Sequence, residues 1–358
     1  MVNNPRKYIE KAERGLFDGM ERMAQIDNMN DPLTNLNAVM DWEIFHTILD
    51  TIPKEQAKGP GGRPAFEPIY MFKILVLQSL YNLSDEQTQF QILDRRSFHR
   101  FLNISEADIV PDQNTIREFR EKLTKAKLFE TLFVRFNEFL AQRGFITQKG
   151  NLVDASFVEV PRQRNKKDEN EAIKKGEVPE GWENDHKRLS HKDLDARWAK
   201  KNNDVFYGYK NHVSVDLESK LITRCVVTDA SVHDSQVLDQ LTKQGDAETW
   251  LDAGYAGAEC EKNLAEKSIT AQICAKGNRG KKLSKSDKKK NRKKSKTRAR
   301  VEHVFAFMTV SMNAMRKRFI GRVRNEAAII FSNIVYNMAR VEQIIRLRLL
   351  GRMTPKHV

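Results

Sequence analysis

Asn151-Leu-Val-Asp-Ala-Ser-Phe-Val-Glu-Val160 is the stretch on which the reading of this chain turns. Its composition is that of a strand. Asp154 stands in its middle, on one face with Leu152, Ser156 and Val158, while Val153, Ala155 and Phe157 face the other way. A carboxylate among apolar neighbours is costly unless something compensates its charge. A structural ion pair or a functional site would each supply that compensation.

Downstream, residues 161–204 are very polar and carry no continuous apolar face, which reads as an insertion or long excursion. Strand patterning resumes at 205–215. The turn Leu217-Glu-Ser-Lys220 then leads into a second strand over 221–228, giving a hairpin. The pattern predicts a helix over 234–244, a strand over 249–252, a helix over 257–267 and a strand over 270–275. A basic loop over 276–300 follows, then helices over 298–318 and 325–348. Three antiparallel strands leading into an alternating strand–helix half give an α/β fold with a mixed (α+β) sheet. That order is the ribonuclease H arrangement.

Upstream, residues 1–58 read as a helical segment of mixed polarity. Gly59-Pro-Gly-Gly-Arg-Pro64 is a breaker cluster, read as a linker. The apolar run Ile69–Leu80 is too long for an ordinary strand and reads as a buried helix. Ser84 with Gln87 forms a capping box for a helix over 85–95. Asp112 opens another, with Arg117, Arg120 and Lys122 expected on its solvent side. The expected organisation is therefore a helical segment 1–58, a compact helical domain 59–147 and an α/β domain 149–348 with the polar insertion 161–204 and the basic loop 276–300.

The 358 residues hold 62 Lys and Arg against 48 acids, net +14. Residues 276–300 alone carry fourteen Lys or Arg and one acid, Asp287. So dense a run suits contact with a polyanion. Cys225, Cys260 and Cys274 form no CxxC pair and read as reduced core thiols, against a disulfide scaffold or zinc ribbon. The apolar stretches are too short for a bilayer span, and Met1-Val-Asn-Asn-Pro-Arg6 has no apolar signal region. A cytoplasmic, nucleoid-associated protein is expected.

Two further carboxylates differ from the solvated majority. Asp252 ends an apolar strand before the turn Ala253-Gly-Tyr255, at a strand's C-terminal edge, where sites in open α/β sheets gather. Glu302 lies one turn into a helix and, from its neighbours Phe305 and Ala306, is expected to face inward. Asp154, Asp252 and Glu302 together could hold hard divalent cations and leave room for phosphate oxygens. Two such ions about 4 Å apart can serve both sides of a phosphodiester displacement.

These residues resemble the DDE transposases of bacterial insertion sequences, in the group typified by insertion sequence five. Gly62-Arg-Pro64, Leu75-Val-Leu-Gln78, Leu83-Ser-Asp-Glu86, Ser97-Phe-His-Arg-Phe101, Val110-Pro-Asp112 and Thr115-Ile-Arg-Glu-Phe-Arg120 resemble that group's N-terminal helical domain. Val153-Asp-Ala-Ser-Phe157, Leu251-Asp-Ala-Gly-Tyr-Ala-Gly257 and Arg298-Ala-Arg-Val-Glu-His303 resemble its three acidic blocks. Tyr207-Gly-Tyr-Lys-Asn-His212 and Ala230-Ser-Val-His-Asp234 resemble the blocks between them. The resemblance covers roughly 60–348. It implies a ribonuclease H-like catalytic domain, with Asp154, Asp252 and Glu302 as catalytic residues and ligands of two Mg²⁺ or Mn²⁺ ions. It implies double-stranded DNA as partner, at element ends and target, and a homodimer or higher oligomer in the synapse.

Related transposases carry a Tyr seven before the Glu, an Arg four before it and a Lys seven after it. Here Arg298 fits, while Ser295 and Thr309 depart. Arg298 and Arg300, with Lys293, Lys294 and Lys296 of the basic run, are the expected DNA contacts. Lys210 is added as a phosphate contact, because its strand could border the site. The competing readings are a decayed or domesticated transposase that binds DNA without cutting it, and a sequence-tolerant nuclease on the same fold.

Overall fold

Glu67 caps the helix Pro68–Leu80 by accepting the N–H groups of Ile69 and Tyr70, with Pro68 at the first helical position. A capping box of Ser84 and Gln87 opens Asp85–Asp94, and Asp112 caps Gln113–Lys125. These are short-range signals, and in this computed structural model each helix starts where its cap stands. The structure describes residues 15–29, 31–53, 64–201, 203–277 and 283–350. Residues 59–63 of the expected linker lie outside them. Ahead of it, the described part of 1–58 holds Asp18–Asn28, Pro32–Val39 and the short turns Trp42–Phe45 and His46–Leu49.

One mixed sheet carries the second half. Its strands are β1 (Asn151–Glu159), β2 (Arg197–Lys201), β3 (Asp204–Asp216), β4 (Ile222–Asp229), β5 (Glu248–Leu251) and β6 (Thr270–Ile273). β1 lies between β3 and β5, antiparallel to the first and parallel to the second, and β6 continues parallel beyond β5. β3 is long enough to pair with β2 along Asp204–Gly208 and with β4 along Tyr209–Val215. Pleat alternation divides β1 between two cores. Leu152 and Val158 join a large core built with the N-terminal helices and the last helix, Arg322–Leu347. Val153 joins a smaller one on the opposite face with Leu251, Tyr255 and Leu264.

The last helix keys the two halves together. Ile330, Ile334, Met338 and Val341 are buried in the large core, alongside Phe72 and Phe129 from the N-terminal helices. Amides set its position. Asn333 and Asn211 exchange hydrogen bonds of 2.8 and 3.1 Å. Asn337 accepts from the Ile222 N–H and donates to the Ile222 carbonyl, both at 2.8 Å. Such pairs satisfy buried polar groups that would otherwise be costly, and tie strands to helix at single positions.

Several expectations need correction. The basic run is not a loop: Lys285–Arg298 is a helix, capped by Ser284, which accepts the Asp287 N–H at 3.0 Å. Lys and Arg are good helix formers, and the cap offsets their repulsion with an acid in the first turn. Residues 278–282 of the run lie outside the described residues. The next helix is shorter than 298–318: Arg300–Ala306 runs into a π turn, Phe307–Ser311. The helix expected over 234–244 is a 3-10 turn, Asp234–Val237, followed by Leu238–Leu241.

The polar excursion is also structured, with helices Lys167–Lys175 and His186–Ser190 and the strand β2. Buried Asp193 anchors it, accepting from the Tyr209 hydroxyl at 2.8 Å and from the Gly321 N–H at 3.0 Å. Arg120 turns inward and not to solvent. It forms a bidentate pair with Asp85, at 2.5 and 2.9 Å, and donates to Gln78 at 2.9 Å.

Candidate active site

Parallel pairing sets Asn151 of β1 opposite Thr249 of β5, and Leu152 opposite Trp250. Carried two residues further, that register sets Asp154 against Asp252, the first residue after β5. Opposed residues of parallel strands point to the same side, so both carboxylates fall on the Leu152 face, toward the large core and its helices. Asp252 Oδ1 accepts the Gly254 N–H at 2.7 Å, capping the turn Ala253–Tyr255. Asp154 Oδ1 accepts the Ala155 N–H at 2.8 Å.

Arg298 closes over Asp154. Its Nη1 donates to Asp154 Oδ2 at 2.7 Å, and its Nη2 lies 3.8 Å from Glu302 Oε1. Burial pushes the Asp154 carboxyl above the usual carboxylate range, while the Ala155 N–H and the Arg298 guanidinium pull it back and the Asp252 charge raises it. Two carboxylates thus crowd one place, and a cation answers them. Glu302 does not face inward as expected: its side chain is 65% exposed. Val301 and Val304 take the buried stripe of its helix, and Glu302 lies on the other side, in reach of Arg298.

Among the described residues, no three His, Cys, Asp or Glu side chains converge closely enough to enclose a metal ion. The donor chemistry nonetheless suits a hard divalent cation. Asp154 and Asp252 are near enough for one charge to act on the other, and Glu302 shares with Asp154 the guanidinium that lies between them.

The expected DNA contacts in and beside the basic helix divide into two groups. Arg298 holds Asp154, Arg300 donates to the Leu217 carbonyl at 3.0 Å, and Lys294 donates to the Ile273 carbonyl at 2.8 Å. Asn291, one turn before Lys294, pairs with both the N–H and the carbonyl of Ala275 at 2.9 Å. Asn291, Lys294 and Arg298 recur at helical spacing, so this face docks the basic helix on the sheet's edge. Lys293 and Lys296 lie exposed on its outer side with Lys288, Lys289 and Arg292.

Lys210 is in neither group. The β1–β3 register puts Lys210 opposite Phe157 and His212 opposite Ala155, on the sheet face away from Asp154. There Lys210 pairs with Asp234 at 2.9 Å and donates to the Val232 carbonyl at 2.7 Å. His212 is fully buried, with Nε2 2.9 Å from Thr228 Oγ1 and Nδ1 3.7 Å from Asp234. Burial pushes its imidazole down to about 4.

Sequence reasoning passed over Tyr255. It is buried, its hydroxyl has no hydrogen-bond partner among the described residues, and burial together with the charges of Asp234, Asp154 and Asp252 pushes it well up. Its place three residues after Asp252 was the available signal.

A family model described as a transposase DDE domain matches residues 147–338, more than half of the chain. The chain belongs to the transposase DDE domain family. A second model, described as a transposase domain, matches residues 20–122. Among solved structures, that of the piggyBac transposase synaptic complex with hairpin DNA is similar to this transposase at 12% identity and a TM-score of 0.39, covering 92% of this chain and 84% of that one. In this DDE transposase, Ser295 stands 4.0 Å from the Cys274 sulfur, and Thr309 bonds to the Phe305 carbonyl at 2.7 Å inside the π turn. No helix among its described residues is long and apolar enough to cross a membrane.

Proposed function

We propose that this chain binds the ends of its own insertion sequence, cuts the phosphodiester there and joins the freed 3′-hydroxyl to target DNA. The observation that carries this reading is the pair of Asp154 on β1 and Asp252 just past the end of the parallel strand β5, close enough to act on each other's charge, with Arg298 closing over Asp154 and Glu302 one turn beyond. With β2 set aside, the strands lie in the order β4, β3, β1, β5, β6, which supports a ribonuclease H-like catalytic domain. The quoted sequence blocks support the insertion-sequence-five group. The helices of 59–147 are assigned to end binding or dimerisation, within a homodimer or higher oligomer acting on nucleoid DNA in the cytoplasm.

Asp154, Asp252 and Glu302 would hold two Mg²⁺ or Mn²⁺ ions, which when bound supply Lewis-acid stabilisation of the charge that builds on the phosphodiester. The chain's own part is placement. The strand register sets two carboxylates near each other, and the Ala155 and Gly254 N–H groups hold them. Arg298, released from Asp154, would meet a phosphate oxygen beside the reacting bond. Lys293 and Lys296 would follow the duplex backbone, so binding weakens steeply with salt.

The test is strand cleavage of a labelled duplex bearing the sequence that flanks the gene, with Mg²⁺ or EDTA, for wild type and Glu302→Gln. Nicking at one defined end position that needs Mg²⁺ and is lost in Glu302→Gln is expected. Tight binding without cleavage in either protein would replace this reading with a non-catalytic DNA-binding protein. Scattered cuts would replace it with a nuclease.

A further inference from the structure

The segment between the π turn and the last helix is stitched to the end of β1. The Glu159 N–H donates to the Met315 carbonyl at 2.9 Å, and the Lys317 N–H donates to the Glu159 carbonyl at 2.8 Å. This fixes Lys317 at the wall of a cavity of about 190 Å³ between the N-terminal helices and Arg322–Leu347. Leu75, Leu83, Phe129, Phe319 and Phe331 make the cavity largely apolar. Two ion pairs stand in its wall, Arg120 with Asp85 and Arg324 with Glu121 at 2.9 Å, and each is balanced within itself.

Lys317 is different. Its Nζ donates to Ser332 Oγ at 2.6 Å, and among the described residues no carboxylate pairs with it. Burial alone pushes its ammonium down to about 8. An ammonium has three donors. Lys317 is half-buried at the cavity wall, and its ammonium keeps donors free to meet an anion in the cavity.

We propose that this cavity binds a small organic carboxylate: a single anionic head set on the Lys317 ammonium, and a flat apolar body lying against Phe319 and the packed pair Phe129 and Phe331. The occupant would touch the N-terminal helices, the segment before the last helix that is stitched to β1, and the last helix at once, so it would brace the joint between the two halves. The site lies apart from Asp154 and Asp252 and stands independently of the proposed chemistry.

The test uses 2-naphthoate and its neutral isostere 2-naphthamide, titrated by calorimetry into the full-length protein, Lys317→Met, Lys317→Arg and Ala328→Phe. Naphthoate should bind saturably at one site, at least tenfold tighter than naphthamide. Lys317→Met should weaken naphthoate about tenfold and leave naphthamide within twofold, while Lys317→Arg retains the preference. Ala328→Phe, which fills the cavity, should abolish both. Equal binding of the two probes to the wild type, or no saturable naphthoate binding, would overturn the proposal even if Lys317→Met fails to fold. Displacement of naphthoate by duplex DNA would also overturn it, by making Lys317 part of the DNA surface.

Discussion

Removing the guanidinium over Asp154 should destabilise the fold in a pH-dependent way. Arg298→Met keeps most of the apolar stem and deletes the charge. Breaking a fully buried pair costs about 3–5 kcal/mol, and a surface pair about 0–1 kcal/mol. The side chains of Arg298 and Asp154 keep 22% and 17% of their exposure, so the expected loss at neutral pH is about 2 kcal/mol. The sign follows from linkage. The folded Asp154 carboxyl is already raised by burial, and losing Arg298 raises it further. The ionised form therefore destabilises the variant above its folded pKa, and the loss shrinks as pH falls and the carboxyl takes up a proton.

Urea denaturation at about pH 7.5 and about pH 4 reads both limbs. A double-mutant cycle isolates the pair: in an Asp154→Asn background, Arg298→Met should cost little, because no buried charge is left alone. An equal cost in both backgrounds, or one that does not change with pH, would refute the reasoning.

Asp154→Asn should abolish end cleavage while leaving DNA affinity within a few-fold, by gel shift and nicking assay on the same preparation. Lys293→Gln with Lys296→Gln should lower the slope of log affinity against log salt by about 2, since each lost phosphate contact removes about one; an unchanged slope would remove the outer face of the basic helix from the DNA path. Gly208→Ala should destabilise by about 3 kcal/mol or more in urea, because φ there is +145° and a Cβ would lie 2.3 Å from the Val158 carbonyl oxygen. His212, held down to about 4, stays neutral in the fold while the unfolded chain takes up a proton below about 6.5. Stability should therefore fall by roughly 3 kcal/mol between those values, a limb that flattens in His212→Gln.

The sequence by itself determined what depends on near neighbours. Caps at Ser84 and Asp112, the hairpin turn at 217–220, the strand around Asp154 and the apolar stripe of the last helix are written within one or two turns of chain. Local hydrogen bonding and side-chain periodicity suffice to read them. Tertiary structure alone decided which way charges turn. Arg120 reads as solvated until Asp85 and Gln78 arrive from two other helices. Lys210 falls on the face opposite Asp154 only once β3 is registered on β1.

Glu302 points outward because Val301 and Val304 claim the core stripe, which neighbours in sequence leave undecided. The basic run shows the same division. Its composition announces a polyanion partner, but Asn291, Lys294 and Arg298 find their bonding groups on β6, on Ala275 and on Asp154. A long polar side chain meets whichever partner the fold brings within its reach of a few ångströms. That partner lies far off in sequence, so local pattern carries no record of it.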